Sequence, residues 1–151
     1  MERTVVLGLG NTIRRDDGVG MRAIELLRRR MGRGKGAVEL VEGGVSAFDA
    51  LAGRGGGRLF VVDAAEGIGE PGTVYRATGR DVAGLDLRMS LHDSGLAEAL
   101  VELELAGDTW REVTVFGVEP ADTGWGEDLS PEVERALDAV IADVEAEIGA
   151  R

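Results

Sequence analysis

Three acidic side chains and one histidine follow predicted strands, at points where parallel sheets place their binding loops. Asp16 and Asp17 come after the first apolar run and before a helical pattern, and Asp63 directly follows another apolar run. His92, the only histidine, stands just before a further helical pattern. Because ligands gather at the carboxyl ends of strands in an open α/β sheet, these groups could meet there as an oxygen and nitrogen metal site.

Each of these residues also has an ordinary structural explanation. Aspartates before a helix cap free N–H groups and complement the helix dipole, and Asp63 could cap a turn in the same way. Capping explains one aspartate of the adjacent pair well but the second one less well. Two neighbouring carboxylates repel each other unless a cation or another partner stabilises them. A lone histidine is usually a surface residue, yet His92 at a helix N-terminus would favour the neutral imidazole that ligates metals.

Most other hydrolytic chemistries are excluded by what the chain lacks. It has no cysteine, so there is no thiolate nucleophile and no cysteine-ligated zinc. A serine nucleophile would have to use His92, and no serine lies in a Gly-x-Ser-x-Gly elbow. A single histidine also excludes the His-Glu-x-x-His zinc motif. Water activated by a carboxylate or by a metal ion remains.

Nucleotide binding is an alternative interpretation of the first strand and its loop. Gly8 and Gly10 begin a dinucleotide-binding pattern, but Ile13 stands where the third glycine belongs. The helix is predicted to start only at about Gly18, and the two acids before it would repel a pyrophosphate. We therefore rank this alternative below a hydrolytic metal site.

Composition places the chain in a broad class. Its 151 residues predict a single domain over 1–151, and 44% hydrophobic content with 4% aromatic residues fits a compact core. The net charge of −11 argues against a nucleic-acid surface. No apolar run approaches the ~20 residues of a membrane span, and the N-terminus runs straight into a strand without a signal peptide. A cytoplasmic protein is expected.

Strand and helix patterns alternate along the chain, which predicts a three-layer α/β sandwich. The predicted strands are Thr4–Leu7, Val38–Val41, Leu59–Val62, Thr73–Arg76 and Val113–Val118. The predicted helices are Gly18–Met31, a short one marked by Val45, Phe48 and Ala52, one marked by Leu96, Leu100 and Leu103, and a last one. That last helix has Ser130 as N-cap and Pro131 at its first position, and it ends at Gly149.

The order of the motifs resembles one known family, the hydrogenase maturation endopeptidases. The matching pieces are Gly8-Leu9-Gly10-Asn11, Asp16-Asp17-Gly18-Val19-Gly20, Glu42-Gly43-Gly44, Val61-Val62-Asp63-Ala64, Pro71-Gly72-Thr73, His92 and Gly117-Val118-Glu119-Pro120. Each piece alone is a weak signal, but their order and spacing together are specific. The resemblance implies a three-layer α/β/α fold of the phosphorylase/hydrolase-like kind, with a twisted, five-stranded, mostly parallel sheet.

The resemblance also implies an activity and a site. These enzymes remove a C-terminal peptide from the large subunit of a [NiFe] hydrogenase, and nickel already inserted in the precursor is the recognition element. Asp17, Asp63 and His92 match the metal-binding and catalytic positions, and zinc or cadmium could substitute for nickel in vitro. The expected substrate-binding residues are Gly8, Gly10, Asn11, Asp16 and Glu42. At the position of Glu42 many relatives carry an aspartate. The expected partner is the precursor, bound by a monomer.

Other functions remain open from the residues. A metal-binding assembly or sensor protein could hold a precursor without cutting it and would use the same three side chains. The spore-germination proteases, which share the implied fold, match the motifs less well. The loop Ala121–Leu129 carries Trp125, which we expect to be exposed, and a role of this loop in partner choice is a further hypothesis.

Overall fold

The computed structural model describes residues 2–32, 38–82, 88–89 and 95–149, in which strands and helices alternate. The strands are β1 (Thr4–Leu9), β2 (Val38–Gly44), β3 (Arg58–Glu66), β4 (Val74–Thr78), β5 (Arg88–Met89) and β6 (Glu112–Val118). The helices are α1 (Val19–Met31), α2 (Ala47–Leu51), α3 (Leu96–Leu105) and α4 (Pro131–Gly149), and short 3-10 helices cover Arg15–Gly18 and Gly79–Val82. Each predicted strand and helix is present, several with longer bounds.

Five strands form the main sheet in the order β2-β1-β3-β6-β4. Strands β2, β1, β3 and β6 run parallel to their neighbours, and β4 is antiparallel to β6. The two-residue strand β5 pairs antiparallel with the end of β3. The predicted five-stranded, mostly parallel sheet is confirmed, with this short strand added.

Helices cover both faces of the sheet, and each face has its own apolar core. On one face α1 and α4 pack against Val6, Phe60 and neighbouring side chains. On the other face α2 and α3 pack against Val5, Leu59 and their neighbours. Because successive side chains of a strand point to opposite faces, a central strand covered on both sides must be apolar throughout. The three-layer α/β/α architecture is therefore confirmed.

Strand β3 is longer than predicted, and this changes the position of Asp63. The sequence predicts a strand that ends at Asp63, but β3 continues to Glu66 because β6 pairs alongside it through Asp63 and Ala64. Asp63 lies opposite Gly117 in that ladder and is fully buried. Asp63 therefore lies within a buried part of the strand, and the prediction that it directly follows the strand is wrong.

The short helix α2 forms where predicted, but it buries a different set of residues. Ala47 and Leu51 face the core, whereas Val45 and Phe48 are 50% and 41% exposed. The apolar spacing that suggested the helix therefore does not mark its buried side.

The last helix has the predicted start. Pro131 is its first residue, and the Val133 N–H donates to Ser130 Oγ at 3.4 Å. At the other end the Arg58 guanidinium donates to the carbonyl oxygens of Glu147 and Ile148 at 2.8 and 3.1 Å. Cationic donors are favourable at a helix C-terminus, where the last carbonyls have no partner within the helix. Neither α4 nor any other helix in the described ranges is long and apolar enough to cross a membrane.

Candidate active site

The predicted carboxylates Asp17 and Asp63 are brought to the same edge of the sheet by different elements. Asp63 belongs to the central strand β3, and Asp17 belongs to the 3-10 helix that leads into α1 and contacts β3. Gly10 lies between them. A β-carbon placed on Gly10 would come within 1.9 Å of the Asp17 carbonyl oxygen and 3.5 Å of Asp63 Oδ1. The turn that carries Asp17 therefore lies next to the Asp63 carboxylate.

Gly8 and Gly10 have a packing role within the chain, and their predicted contact with substrate stays a prediction. A β-carbon on Gly8 would lie 2.2 Å from the carbonyl oxygen of Gly20, the second residue of α1. Gly10 has a φ of +128° and faces the Asp17 carbonyl. The close approach that these glycines permit is thus that of the chain's own backbone.

Asp16 has a different environment from its neighbour Asp17. Its side chain is fully buried and accepts four hydrogen bonds from the segment that follows β6. The donors are the backbone N–H groups of Ala121, Asp122 and Ser130, at 2.9, 2.9 and 2.7 Å, and the Ser130 hydroxyl at 2.8 Å. No side chain caps the N-terminus of helix α1, so Asp16 does not serve as a helix cap. Asp16 anchors a loop, and its predicted contact with substrate stays a prediction.

Asn11 and Glu42 also have contacts within the chain. The side-chain oxygen of Asn11 accepts a hydrogen bond from the Ile13 N–H at 3.1 Å, which fixes the turn after β1. Glu42 is exposed on β2 and forms an ion pair with Arg28 at 3.4 Å. It lines a cleft of about 290 Å³ beside the 3-10 helix. The cleft is lined by Thr12, Arg15, Gly18, Met21, Arg22, Glu25, Glu42, Glu127 and Leu129.

His92 lies outside the described residues, so its predicted place as a third ligand stays a prediction. The described chain stops at β5 and resumes at Gly95, directly before α3. Within the described ranges, no group of three or more Asp, Glu or His side chains is arranged to hold a metal ion. Of the three predicted metal ligands, Asp17 and Asp63 are the two that lie within the described residues.

Glu119 is a buried carboxylate to which the sequence assigned no role. It follows β6, is 8% exposed, and its Oε1 accepts hydrogen bonds from the Gly67 N–H at 2.7 Å and the Tyr75 hydroxyl at 2.5 Å. Burial raises the pKa of Tyr75, and the hydrogen bond to Glu119 raises it further. The sequence feature that could have identified Glu119 is its position between a buried strand and a proline, in Val118-Glu119-Pro120. This residue joins the loop after β3 to the end of β6.

The loop after β1 is joined to the loop after β6 as well. The Arg15 N–H donates to the Gly126 carbonyl at 2.9 Å, and the Gly126 N–H donates to the Ile13 carbonyl at 3.0 Å. The Arg14 guanidinium lies 5.4 Å from the centre of the Trp125 ring. Trp125 is 75% exposed, as expected from the sequence. The two backbone hydrogen bonds fix the position of the turn that carries Asp17.

Comparison with known families agrees with this arrangement. A family model described as HycI, hydrogenase maturation protease, matches residues 21–147 of the chain. The chain belongs to this family. The matched range includes Asp63 and His92 and begins four residues after Asp17.

Individual members of the family cover most of the chain. The hydrogenase expression/formation protein HupD of Thiocapsa roseopersicina is 31% identical over 143 residues, which are 91% of this chain but 63% of that protein. The chain thus spans less than two thirds of the length of this relative. The hydrogenase 2 maturation protease of Escherichia coli K12 is 29% identical over 145 residues, which are 94% of this chain and 88% of that protein.

Solved structures of the family have the same fold. The hydrogenase maturating endopeptidase HybD from E. coli superposes with a TM-score of 0.83 at 28% identity, covering 97% of this chain and 91% of HybD. The [NiFe] hydrogenase maturation protease HybD from Thermococcus kodakarensis gives a TM-score of 0.79 at 22% identity, covering 95% and 97%. At 22% identity, this second comparison shows a common fold and nothing more.

Proposed function

We propose that this protein is an endopeptidase that removes a C-terminal peptide from the nickel-loaded precursor of a [NiFe]-hydrogenase large subunit. Membership of the hydrogenase maturation protease family supports the reaction class. The observation that carries the proposal is the packing of the Asp17 turn against the Asp63 carboxylate across Gly10. We further propose that the protein acts as a cytoplasmic monomer.

The proposed roles follow from the chemistry of the three side chains. The carboxylates of Asp17 and Asp63 with the imidazole of His92 offer oxygen and nitrogen donors that suit a divalent ion. Three protein donors leave coordination positions open for groups on the precursor, so the nickel is part of the substrate in this scheme. Zinc or cadmium could take its place in vitro.

Hydrolysis requires an activated water near the peptide bond. A carboxylate of the pair takes a proton from the water as its oxygen attacks the carbonyl carbon. The carbon–nitrogen bond then breaks, and the leaving amine takes up the proton that the carboxylate had accepted from the water. The buried position of Asp63 keeps this carboxylate in a low dielectric, where its interactions with charge are strong.

The test is processing of the precursor by wild-type protein and by the variants Asp63→Asn, Asp17→Asn and His92→Ala. The released peptide is measured by mass spectrometry, and the precursor is used with and without nickel. We expect wild-type protein to cut the nickel-loaded form alone. Each variant should lower the rate by about 100-fold or more, since removal of a catalytic acid or base has effects of this size.

The matched control is Asp138→Asn, which changes an exposed carboxylate on α4. It should process the precursor at the wild-type rate. Thermal unfolding of each variant shows whether the fold is kept. Normal processing by a folded Asp63→Asn or His92→Ala variant would contradict the proposed site. Binding of the precursor without release of a peptide would favour an assembly or sensor protein instead.

A further inference from the structure

Exposed apolar side chains concentrate in the segments around the candidate active site. Five large ones lie in segments that directly follow parallel strands, four in loops and Phe48 on the short helix α2, and we call this set the apolar rim. The rim consists of Ile13, Val45, Phe48, Ile68 and Trp125, which are 50%, 50%, 41%, 105% and 75% exposed. The other large exposed apolar residues in the described ranges are Val74 at the start of β4 and Val101 and Leu105 on α3.

The topology places the rim at one edge of the molecule. Ile13 follows β1, Val45 and Phe48 follow β2, Ile68 follows β3, and Trp125 follows β6. These four strands are parallel and adjacent in the sheet, so their carboxyl ends share an edge. Asp63 and the turn that carries Asp17 lie at this same edge.

Hydrogen bonds join the rim loops to each other. The Gly10 N–H donates to the Gly44 carbonyl at 2.8 Å, which connects the loops after β1 and β2. Gly126 connects the loops after β1 and β6, and Glu119 connects the loops after β3 and β6. These hydrogen bonds therefore connect the segments that carry the rim before any partner binds.

Exposed apolar side chains grouped in this way are typical of a surface that another protein covers. We propose that the apolar rim is the surface on which the folded large-subunit precursor docks while its C-terminal segment reaches Asp63 and Asp17. This inference rests on the proposed function. A substrate as large as a precursor must cover the loops around the site at which it is cut.

The position of the rim argues against a second copy of this chain as its occupant. A dimer formed through the rim would close the edge of the sheet where Asp63 and Asp17 lie. Trp125 is moreover held by the Arg14 guanidinium, whose Nε donates to the Thr123 carbonyl at 3.1 Å. An aromatic side chain fixed before binding loses little entropy when a partner covers it.

The experiment compares Ile68→Ser and Trp125→Ser with Leu105→Ser. All three residues are exposed, so none of the substitutions removes core packing. Leu105 lies at the opposite edge, near Asp108, whose carboxylate accepts hydrogen bonds from Gly53 and Gly55 before β3. The measurements are the Kd for the immobilised nickel-loaded precursor, the KM and kcat for peptide release, and the sedimentation coefficient.

We expect each rim variant to raise the Kd and the KM by about tenfold or more, a change of about 1.4 kcal/mol. The effect should appear in KM and not in kcat, whereas Leu105→Ser should match wild-type protein. Rim variants that bind as tightly as wild-type protein, or an equal loss with Leu105→Ser, would overturn the proposal. A dimer that only the rim substitutions dissociate would also overturn it.

The outcomes separate this proposal from the proposed function. If wild-type protein releases the peptide and rim variants do so with an unchanged KM, the docking surface is wrong and the activity stands. If the rim variants lose binding but wild-type protein releases no peptide, the docking surface stands and the activity is wrong. If wild-type protein does not bind the precursor, both are rejected.

Discussion

At the residue scale, the two adjacent aspartates show how local geometry separates identical side chains. Asp16 and Asp17 lie in a 3-10 helix, where successive residues are about 120° apart around the axis. Asp16 is consequently directed into the protein, where it accepts four hydrogen bonds. Asp17 is only partly buried, and its turn lies beside Asp63. One residue of the pair therefore holds the loop, while the other lies beside the proposed site.

The substitution Asp16→Ala should lower the free energy of unfolding by about 3 kcal/mol or more. It leaves three backbone N–H groups and one hydroxyl without their acceptor, and each buried unsatisfied donor costs about 1–3 kcal/mol. Urea denaturation measures the change. The control Asp138→Ala removes an exposed carboxylate and should change stability by less than about 0.5 kcal/mol. Equal stability of the two variants would contradict the anchoring role of Asp16.

The only tyrosine of the chain allows a direct measurement of its environment. Burial and the hydrogen bond to Glu119 raise the pKa of Tyr75 above its ordinary value of 10.0. The ultraviolet absorbance of the phenolate should therefore titrate at higher pH in the folded protein than in urea. The substitution Glu119→Gln removes the negative charge and should bring the pKa of Tyr75 down.

The raised pKa of Tyr75 also makes the free energy of unfolding depend on pH. The folded state holds the phenol proton more tightly than the unfolded state, so the stabilisation is complete below the unfolded pKa. It is lost as the pH rises through the folded pKa. The difference in unfolding free energy between wild-type protein and Tyr75→Phe should shrink above about pH 10. A Tyr75 pKa at or below the ordinary value would contradict this interpretation.

At the element scale, the first strand and first helix come into contact through residues without side chains. Gly8, Gly10 and Gly20 allow the start of α1 to lie against β1 and β3. The sequence predicted both elements and the loop between them. It did not indicate that the glycines serve this contact, because glycines after a strand are equally typical of a loop that binds a ligand.

The substitution Gly10→Ala tests this contact, with Gly53→Ala as its matched control. Both glycines have positive φ, at +128° and +80°, but only Gly10 faces an atom within 4 Å. The control should lose about 1–2 kcal/mol for its backbone conformation alone. Gly10→Ala should lose about 1–3 kcal/mol more, because the new methyl group overlaps the Asp17 carbonyl. Thermal unfolding measures both, and equal losses would contradict the packing.

At the scale of the whole molecule, parallel strand direction brings distant parts of the chain to a single edge. Four loops follow strands at this edge, hydrogen bonds connect them, and they carry exposed apolar residues. The opposite edge has a different character, since Asp108 closes the turn before β3 with backbone hydrogen bonds. The two edges of the sheet are therefore chemically distinct.

The sequence by itself determined the order of the elements and the class of the fold. Apolar runs mark strands buried on both faces, and the Ser130-Pro131 start and the apolar stripe mark α4. These signals are local, because they depend on backbone preference and on the period of burial. The sequence also singled out Asp17, Asp63 and His92 as chemically capable residues and predicted the exposure of Trp125.

Only the tertiary structure decided what the neighbours of these residues do. Asp16 was assigned to substrate, but its hydrogen-bond donors lie more than a hundred residues away in the chain. Glu119 received no role, since its partners come from two other segments. The buried position of Asp63 depends on how far β6 pairs beside β3. Contacts between segments distant in sequence leave no periodic signal in the chain, so the structure is needed to assign them.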